Sequence, residues 1–146
     1  MGSIVVNWGP VILWMMLIFT FSTESFSSGK STPFLAPLLA DLLPHGLAQH
    51  METIVYLIRK LSHWSEYFIL GILLMRALKA QISRQPALRR MVWSILLSTL
   101  YAATDEYHQV LVPGRSANPI DVVIDSFGAF CGTLWCHLRD RSDKRH

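Results

Sequence analysis

The stretch Tyr101–Asp125, YAATDEYHQVLVPGRSANPIDVVID, is where this sequence declares its organisation. The apolar run Met91–Thr104 stops at Asp105-Glu106-Tyr107-His108-Gln109. Pro113-Gly114 marks a turn with Arg115 beside it, and Asn118-Pro119 supplies a helix N-cap followed by a first helical residue. A second apolar run, Pro119–Leu138, then opens with Asp121 and Asp125. Two apolar helices joined through a charged turn is the reading that fits. Four carboxylates, a His, a Gln and an Arg crowd that gap, more chemistry than a connecting loop needs, so the stretch is read as the functional centre.

Upstream, no charged residue precedes Glu24, and Ile4–Phe21 is long enough to cross a hydrocarbon core of roughly 30 Å. No basic n-region or small-residue cleavage site accompanies it, so a retained span is expected rather than a cleaved signal. Ser22–Gln49 is a connector rich in Ser, Pro and Gly, with a short interfacial helix expected around Phe34–Leu39. From His50, apolar residues at helical spacing (Met51, Ile54, Val55, Ile58, Leu61) predict an amphipathic helix, either on the membrane surface or as the approach to a spanning one, that runs into the apolar segment Trp64–Leu78. Ala80–Arg90 is basic and broken by Pro86, and no strand-period alternation of useful length occurs. Hydrophobic residues make up 51 % and charged residues 16 %, with a mean hydropathy of +0.34, which points to a membrane. The expectation is an all-α polytopic membrane protein, one domain over residues 1–146. It would be a bundle of about four transmembrane helices (approximately 4–22, 62–79, 91–108 and 119–138) with an outer interfacial segment. Cys131 and Cys136 diverge on a helix and read as small apolar residues. No basic–aromatic stripe or nucleic-acid module is visible, so no nucleic-acid partner is expected.

Charge orients such a bundle. Nine of the thirteen cations (Arg76, Lys79, Arg84, Arg89, Arg90, Arg139, Arg141, Lys144, Arg145) fall at one end, and eight of the ten acids fall at the other. Cations remain inside, so both termini are expected in the cytoplasm. The 22–63 and 105–121 stretches then face outward from a bacterial cytoplasmic membrane. Counting from the basic ends, Glu66, Asp105 and Asp125 each lie about 20 Å up their helices. Ionisable groups at that depth need a cavity or partners, and a polar pocket open to the outside is the expectation.

Helical spacing brings the groups together. His63, Glu66 and Tyr67 share a face, as do Asp105, His108 and Gln109. Asp121 and Asp125 share one that Gly128 and Gly132 continue as a GxxxG seam. Glu66, His63, Asp105, Glu106 and His108 are the candidates for acid–base catalysis or substrate hydrogen bonds. Arg115 suits an anionic group. Gln109, Tyr67, Asp121, Asp125, Ser22 and Lys60 complete the candidate binding set. Each has a blander reading: Glu66 paired with Lys60 or Arg59, Asp121 at a helix N-terminus, His63 and His108 at the interface. The carboxylates and histidines have the donor types for a divalent metal, but no established metal-ligand spacing is present, so no cofactor is expected.

In order, these residues resemble the VanZ-like family of small bacterial membrane proteins. The likeness rests on Lys60-x-x-His63-x-x-Glu66-Tyr67 with Leu70-Gly71, on Asp105-Glu106-x-His108-Gln109, and on Val112-Pro113-Gly114-Arg115. It continues through Asp121-Val122, Gly128 and Gly132, and reaches back to Trp14 and Ser22. The family pattern often has Asn where this chain has Asp125, which favours hydrogen bonding or helix packing there over a role requiring charge. The namesake is associated with resistance to the glycopeptide teicoplanin. The resemblance implies an envelope membrane protein that contacts membrane lipids and binds, or modifies, an anionic or lipid-linked envelope component such as a cell-wall precursor. The alternative is a non-catalytic protein whose polar network only locks the bundle.

Overall fold

The computed structural model describes residues 2–23, 39, 50–111 and 118–142. The expected interfacial helix around Phe34–Leu39 and the turn through Pro113–Arg115 fall essentially outside the described residues. Among those described, the fold is all-α: α1 (Gly2–Phe21), α2 (Met51–Gln81), α3 (Ala87–Val110) and α4 (Pro119–Ser142), with no strand.

Local sequence sets most of the boundaries. Pro86 caps α3, which starts at Ala87. Asn118 opens α4: its side-chain oxygen accepts from the Ile120 N–H at 3.1 Å, and its carbonyl accepts from the Asp121 N–H at 2.7 Å. Of the two readings of the stretch from His50, the structure has the approach to the apolar segment: Met51–Gln81 is a single 31-residue helix. Nothing between Leu61 and Trp64 breaks a helix. Ser62 and Ser65 turn their hydroxyls back to the Ile58 and Ser62 carbonyls, at 2.9 and 2.7 Å, and stay within it.

α2 and α4 pack closest. A Cβ on Gly128 would lie 2.3 Å from the Trp64 carbonyl oxygen, and one on Gly132 would lie 2.0 Å from that of Phe68. Only glycine permits this approach, so the GxxxG face does meet a helix. α3 joins the pair through Ser94, which donates to the Gly71 carbonyl at 3.1 Å and lies 3.2 Å from the Thr133 hydroxyl. Higher up, Thr99 donates to Ser126 at 3.0 Å. α1 leans on α2 and α3. The Trp14 indole N–H donates to the Glu66 carbonyl at 2.8 Å, and the Tyr101 hydroxyl donates to the Met15 carbonyl at 2.6 Å. The apolar core is small: Val11, Ile18, Tyr67, Leu70, Leu74, Ala77, Ala102 and Ala129.

Polarity is inverted relative to a protein folded in water. On α3 the buried stripe is Ser94, Ser98, Ala102, Asp105 and Gln109, while Val92, Trp93, Leu96, Leu97 and Leu100 are exposed. On α4, Asp125 and Thr133 are buried while Val123, Phe127, Phe130 and Trp135 are exposed. Hydrocarbon, not water, suits such an exterior. Among the described residues, two helices are long and apolar enough by themselves to cross a membrane, Ile4–Phe21 with mean hydropathy 2.0 and Pro119–Ser142 with 1.2. α2 and α3 do not pass the same test, because α2 carries charges along its length and α3 carries them at both ends.

Candidate functional site

The polar groups gather where the C-terminal ends of α1 and α3 meet the N-terminal part of α2 and the start of α4. Asp105 is the hub. One of its oxygens accepts from the Ser22 hydroxyl at 2.6 Å and from the Gln109 amide at 3.2 Å. Ser22 closes α1 and is fully buried, so this bond ties the first helix to the third. Glu106, next to the hub, accepts from the Asn118 N–H and so holds the entry of α4 against the end of α3. Lys60 on α2 bridges to Asp121 on α4, with its ammonium 5.2 Å above the Tyr56 ring. The sequence offered Glu66 as the partner for Lys60; instead the lysine crosses to the neighbouring helix. His63 and Glu66 face each other one turn apart, Nδ1 to Oε2 at 3.8 Å, too long for a hydrogen bond.

Beside the hub, two buried groups lack a hydrogen bond among the described residues. The Tyr67 hydroxyl, in a residue with 0 % exposure, and Asp125 Oδ1, in one with 3 %, have no hydrogen-bond partner among the described residues. Asp105, Asp125 and Glu66 are all within electrostatic reach of that hydroxyl. Asp105, Asp121, Glu66 and Glu106 likewise act on Asp125. Carboxylates from α2, α3 and α4 thus act on one another electrostatically at this end of the bundle. His108 goes elsewhere: its ring meets Phe19 edge-on with centroids 4.4 Å apart, which sets it in the seam between α1 and α3. Arg115 lies outside the described residues.

Residues absent from the sequence-based set extend the site downward. Ser98 is fully buried beneath it, its hydroxyl without a partner among the described residues, and Ser94 and Thr133 continue the polar seam. The signal was present in the spacing Ser94, Ser98, Asp105, Gln109, one stripe of a helix. Among the described residues, no group of three or more His, Cys, Asp or Glu side chains is arranged to hold a metal ion. Both cysteines are free thiols.

Beside the cluster, α1 and α3 part to leave an apolar crevice of about 360 Å³. Its walls include Val11, Met15, Leu70, Leu74, Leu97 and Leu100, and Tyr101 and Thr104 close its upper end. A second cavity, of about 240 Å³, lies at the opposite end of the bundle beside Arg76 and the Lys79–Asp140 bridge of 2.8 Å.

A model of the VanZ/LLP1 family matches residues 8–139. The chain belongs to the VanZ/LLP1 family. No curated protein and no solved structure matches it. In this VanZ/LLP1 chain the matched range holds every candidate residue, from Ser22 to Asp125, so the site and the family assignment rest on the same part of the sequence.

Proposed function

We propose that this VanZ/LLP1 protein is a multi-pass protein of the bacterial cytoplasmic membrane, and that its outer polar cluster binds the head of a lipid-linked envelope component. The observation that carries the reading is the inverted polarity: carboxylates, serines and a tyrosine are buried at one end of helices whose exteriors are Leu, Val, Phe and Trp. Ionisable groups kept inside such a bundle mark a functional site by default, because each is costly to hold there without a task or a partner. The cations at the other end of α2, α3 and α4 support an outward-facing cluster, with both termini in the cytoplasm. Asp105, held by Ser22 and Gln109, is a fixed acceptor for a hydroxyl or amine of the ligand. Glu66 with His63 is the pair placed to move a proton if the bound component is also modified. Arg115 is the group for an anionic portion of the same head.

The test is to purify the protein in mild detergent and identify retained lipid by mass spectrometry, comparing the native chain with Glu66→Gln and Asp105→Asn. A lipid with a defined polar head, retained by the native chain and reduced at least several-fold in both variants of unchanged helicity, supports the reading. Equal retention in all three removes it. By family, susceptibility to teicoplanin is the cellular phenotype to record alongside.

A specific observation also favours a structural role. Ser22–Asp105, Ser94–Thr133, Thr99–Ser126 and Lys60–Asp121 each join two helices, as a lock would. Polar contacts between membrane helices are worth only about 1 kcal/mol each. Under this reading Ser22→Ala and Thr99→Ala lower thermal stability slightly, and lipid retention falls only in proportion to the folded fraction.

A further inference from the structure

We infer that the cavity at the basic end of the bundle, between α2 and α4, receives the phosphate head of an anionic glycerophospholipid. The inference rests on the membrane placement proposed above and on none of the residues of the outer cluster. One face of each helix builds the cavity. Ile72, Met75, Arg76 and Lys79 stand at i, i+3, i+4 and i+7 on α2, and Cys136 and Asp140 stand at i and i+4 on α4. The lining is graded along the helix axis. Ile72 and Met75 lie toward the middle of the bundle, and Lys79, about 10 Å of helix beyond Ile72, lies toward its end. A phospholipid has the same grading, acyl carbon first and phosphate after it. A soluble anion would leave the apolar half of the lining without a partner.

Charge is the second observation. Lys79 donates to both carboxylate oxygens of Asp140, at 2.8 and 2.9 Å, and the two charges cancel. Arg76 lines the same cavity and has no hydrogen bond or ion pair among the described residues. Nearby arginines are held elsewhere: Arg90 donates to the Ser83 and Gln85 carbonyls at 3.1 and 2.8 Å, and Arg89 to the Gln85 side-chain oxygen at 2.9 Å. The cavity is left with one uncompensated positive charge, and it sits on a guanidinium. That group matches two phosphate oxygens bidentately, and a phosphodiester carries the single negative charge that balances it.

The third observation is depth. Trp135 is 45 % exposed, and the Arg139 guanidinium lies 5.3 Å from the centre of its ring, on the same turns of α4 that carry Cys136 and Asp140. Exposed Trp residues gather at the head-group level of a membrane, and a stacked arginine adds a cation there. The cavity thus lies at the depth of the phosphates of the adjoining leaflet, the cytoplasmic one in the orientation proposed above. Basic pockets between helices on that side suit anionic head groups. At about 240 Å³ it is smaller than the roughly 300–1,000 Å³ of drug-sized sites, so it takes a head group and leaves the acyl chains in the bilayer.

Native mass spectrometry of the full chain in detergent tests this with phosphatidylglycerol and phosphatidylcholine of identical acyl chains, and with glycerophosphoglycerol, the head of the first without its chains. The native chain is expected to retain phosphatidylglycerol over phosphatidylcholine by about fivefold or more, the contribution of one arginine at a membrane surface. Arg76→Gln, a change at an exposed residue, should cut that preference to within about twofold. Arg84→Gln removes the same charge from the same end of the bundle but lines no part of the cavity, and should keep the preference. Glycerophosphoglycerol should bind at least about tenfold more weakly than the lipid, having no methylenes to set against Ile72 and Met75. Equal retention of the two lipids, or retention of neither, overturns the inference, as does full preference in Arg76→Gln. An equal loss in Arg84→Gln also overturns it, by reducing the effect to diffuse attraction. Glycerophosphoglycerol bound as tightly as phosphatidylglycerol makes the ligand a soluble anion and removes the lipid. If Glu66→Gln and Asp105→Asn release a lipid head while Arg76→Gln changes nothing, only this inference falls.

Discussion

A methyl group on Gly132 would press on the backbone carbonyl of Phe68, an atom that cannot swing aside as a side-chain tip can. Overpacking of this kind costs about 1–3 kcal/mol. Gly132→Ala is therefore expected to lower the unfolding temperature of the purified protein by several degrees. Gly9→Ala, with nothing within 4 Å of the new Cβ, should leave it unchanged or raise it slightly. Equal shifts in the two variants would mean that α2 and α4 do not meet at this seam. The seam was legible as GxxxG, and a single residue's role can be read that far because spacing along one helix is fixed at 3.6 residues per turn. Partners on different helices were not legible. Ser22 and Asp105 stand 83 residues apart, and their bond depends on how α1 is rotated against α3. The crossing of Lys60 to Asp121 depends likewise on the register of α2 against α4, which no local pattern states.

Among the elements, α3 carries the sharpest contrast between its faces. Leu100, 64 % exposed, lies on the face of the helix opposite the buried Ser98 and Asp105 stripe. If α3 is solvated by hydrocarbon, Leu100→Glu places a charge in lipid at a cost of about 3 kcal/mol. The fraction of protein recovered in the membrane after synthesis should then fall several-fold. In a water-soluble bundle the same change would be silent or would improve solubility, so unchanged recovery in the membrane contradicts a lipid-facing α3. The converse substitution, Ser98→Leu, should also damage the fold although it makes the helix more apolar, because Ser98 is fully buried and a larger side chain has no room. The sequence showed that α3 exists and where it starts, since Pro86 is a local signal, whereas Asp105-Glu106 ends the apolar run and not the helix, which continues to Val110. For α2 the pattern left two readings open, a surface helix or the approach to a span, and the single helix is the second of them; pattern reports the surroundings of a helix rather than its continuity. At 1.5 Å per residue, 31 residues span about 46 Å, more than a bilayer core, so one helix can pass from the apolar region into the outer interface without a break.

For the whole molecule, the number of crossings decides where the chemistry faces. By hydropathy alone, α1 and α4 are the spans. A chain crossing only there keeps the connection from α2 to α3 on the same side as the polar cluster. Arg84, in that connection, would then share a compartment with His50. With four crossings the two are on opposite sides, and the inverted polarity of α3 and the close glycine seam between α2 and α4 favour this arrangement. Charge favours it too: Arg76, Lys79, Arg84, Arg89 and Arg90 flank the α2–α3 connection, and Arg139 and Arg141 end α4. Translocating five cations in and around one short connection is what the positive-inside bias opposes. The experiment starts from a chain freed of its two thiols by Cys131→Ser and Cys136→Ser, with His50→Cys, Arg84→Cys or Ser142→Cys added one at a time. In intact cells a membrane-impermeant maleimide is expected to label His50→Cys alone. Arg84→Cys and Ser142→Cys should react only after permeabilisation. Labelling of Arg84→Cys in intact cells together with His50→Cys would reduce the protein to two spans. The cluster would then sit on a helical hairpin outside the bilayer, where its buried carboxylates could no longer be explained by a hydrocarbon surround.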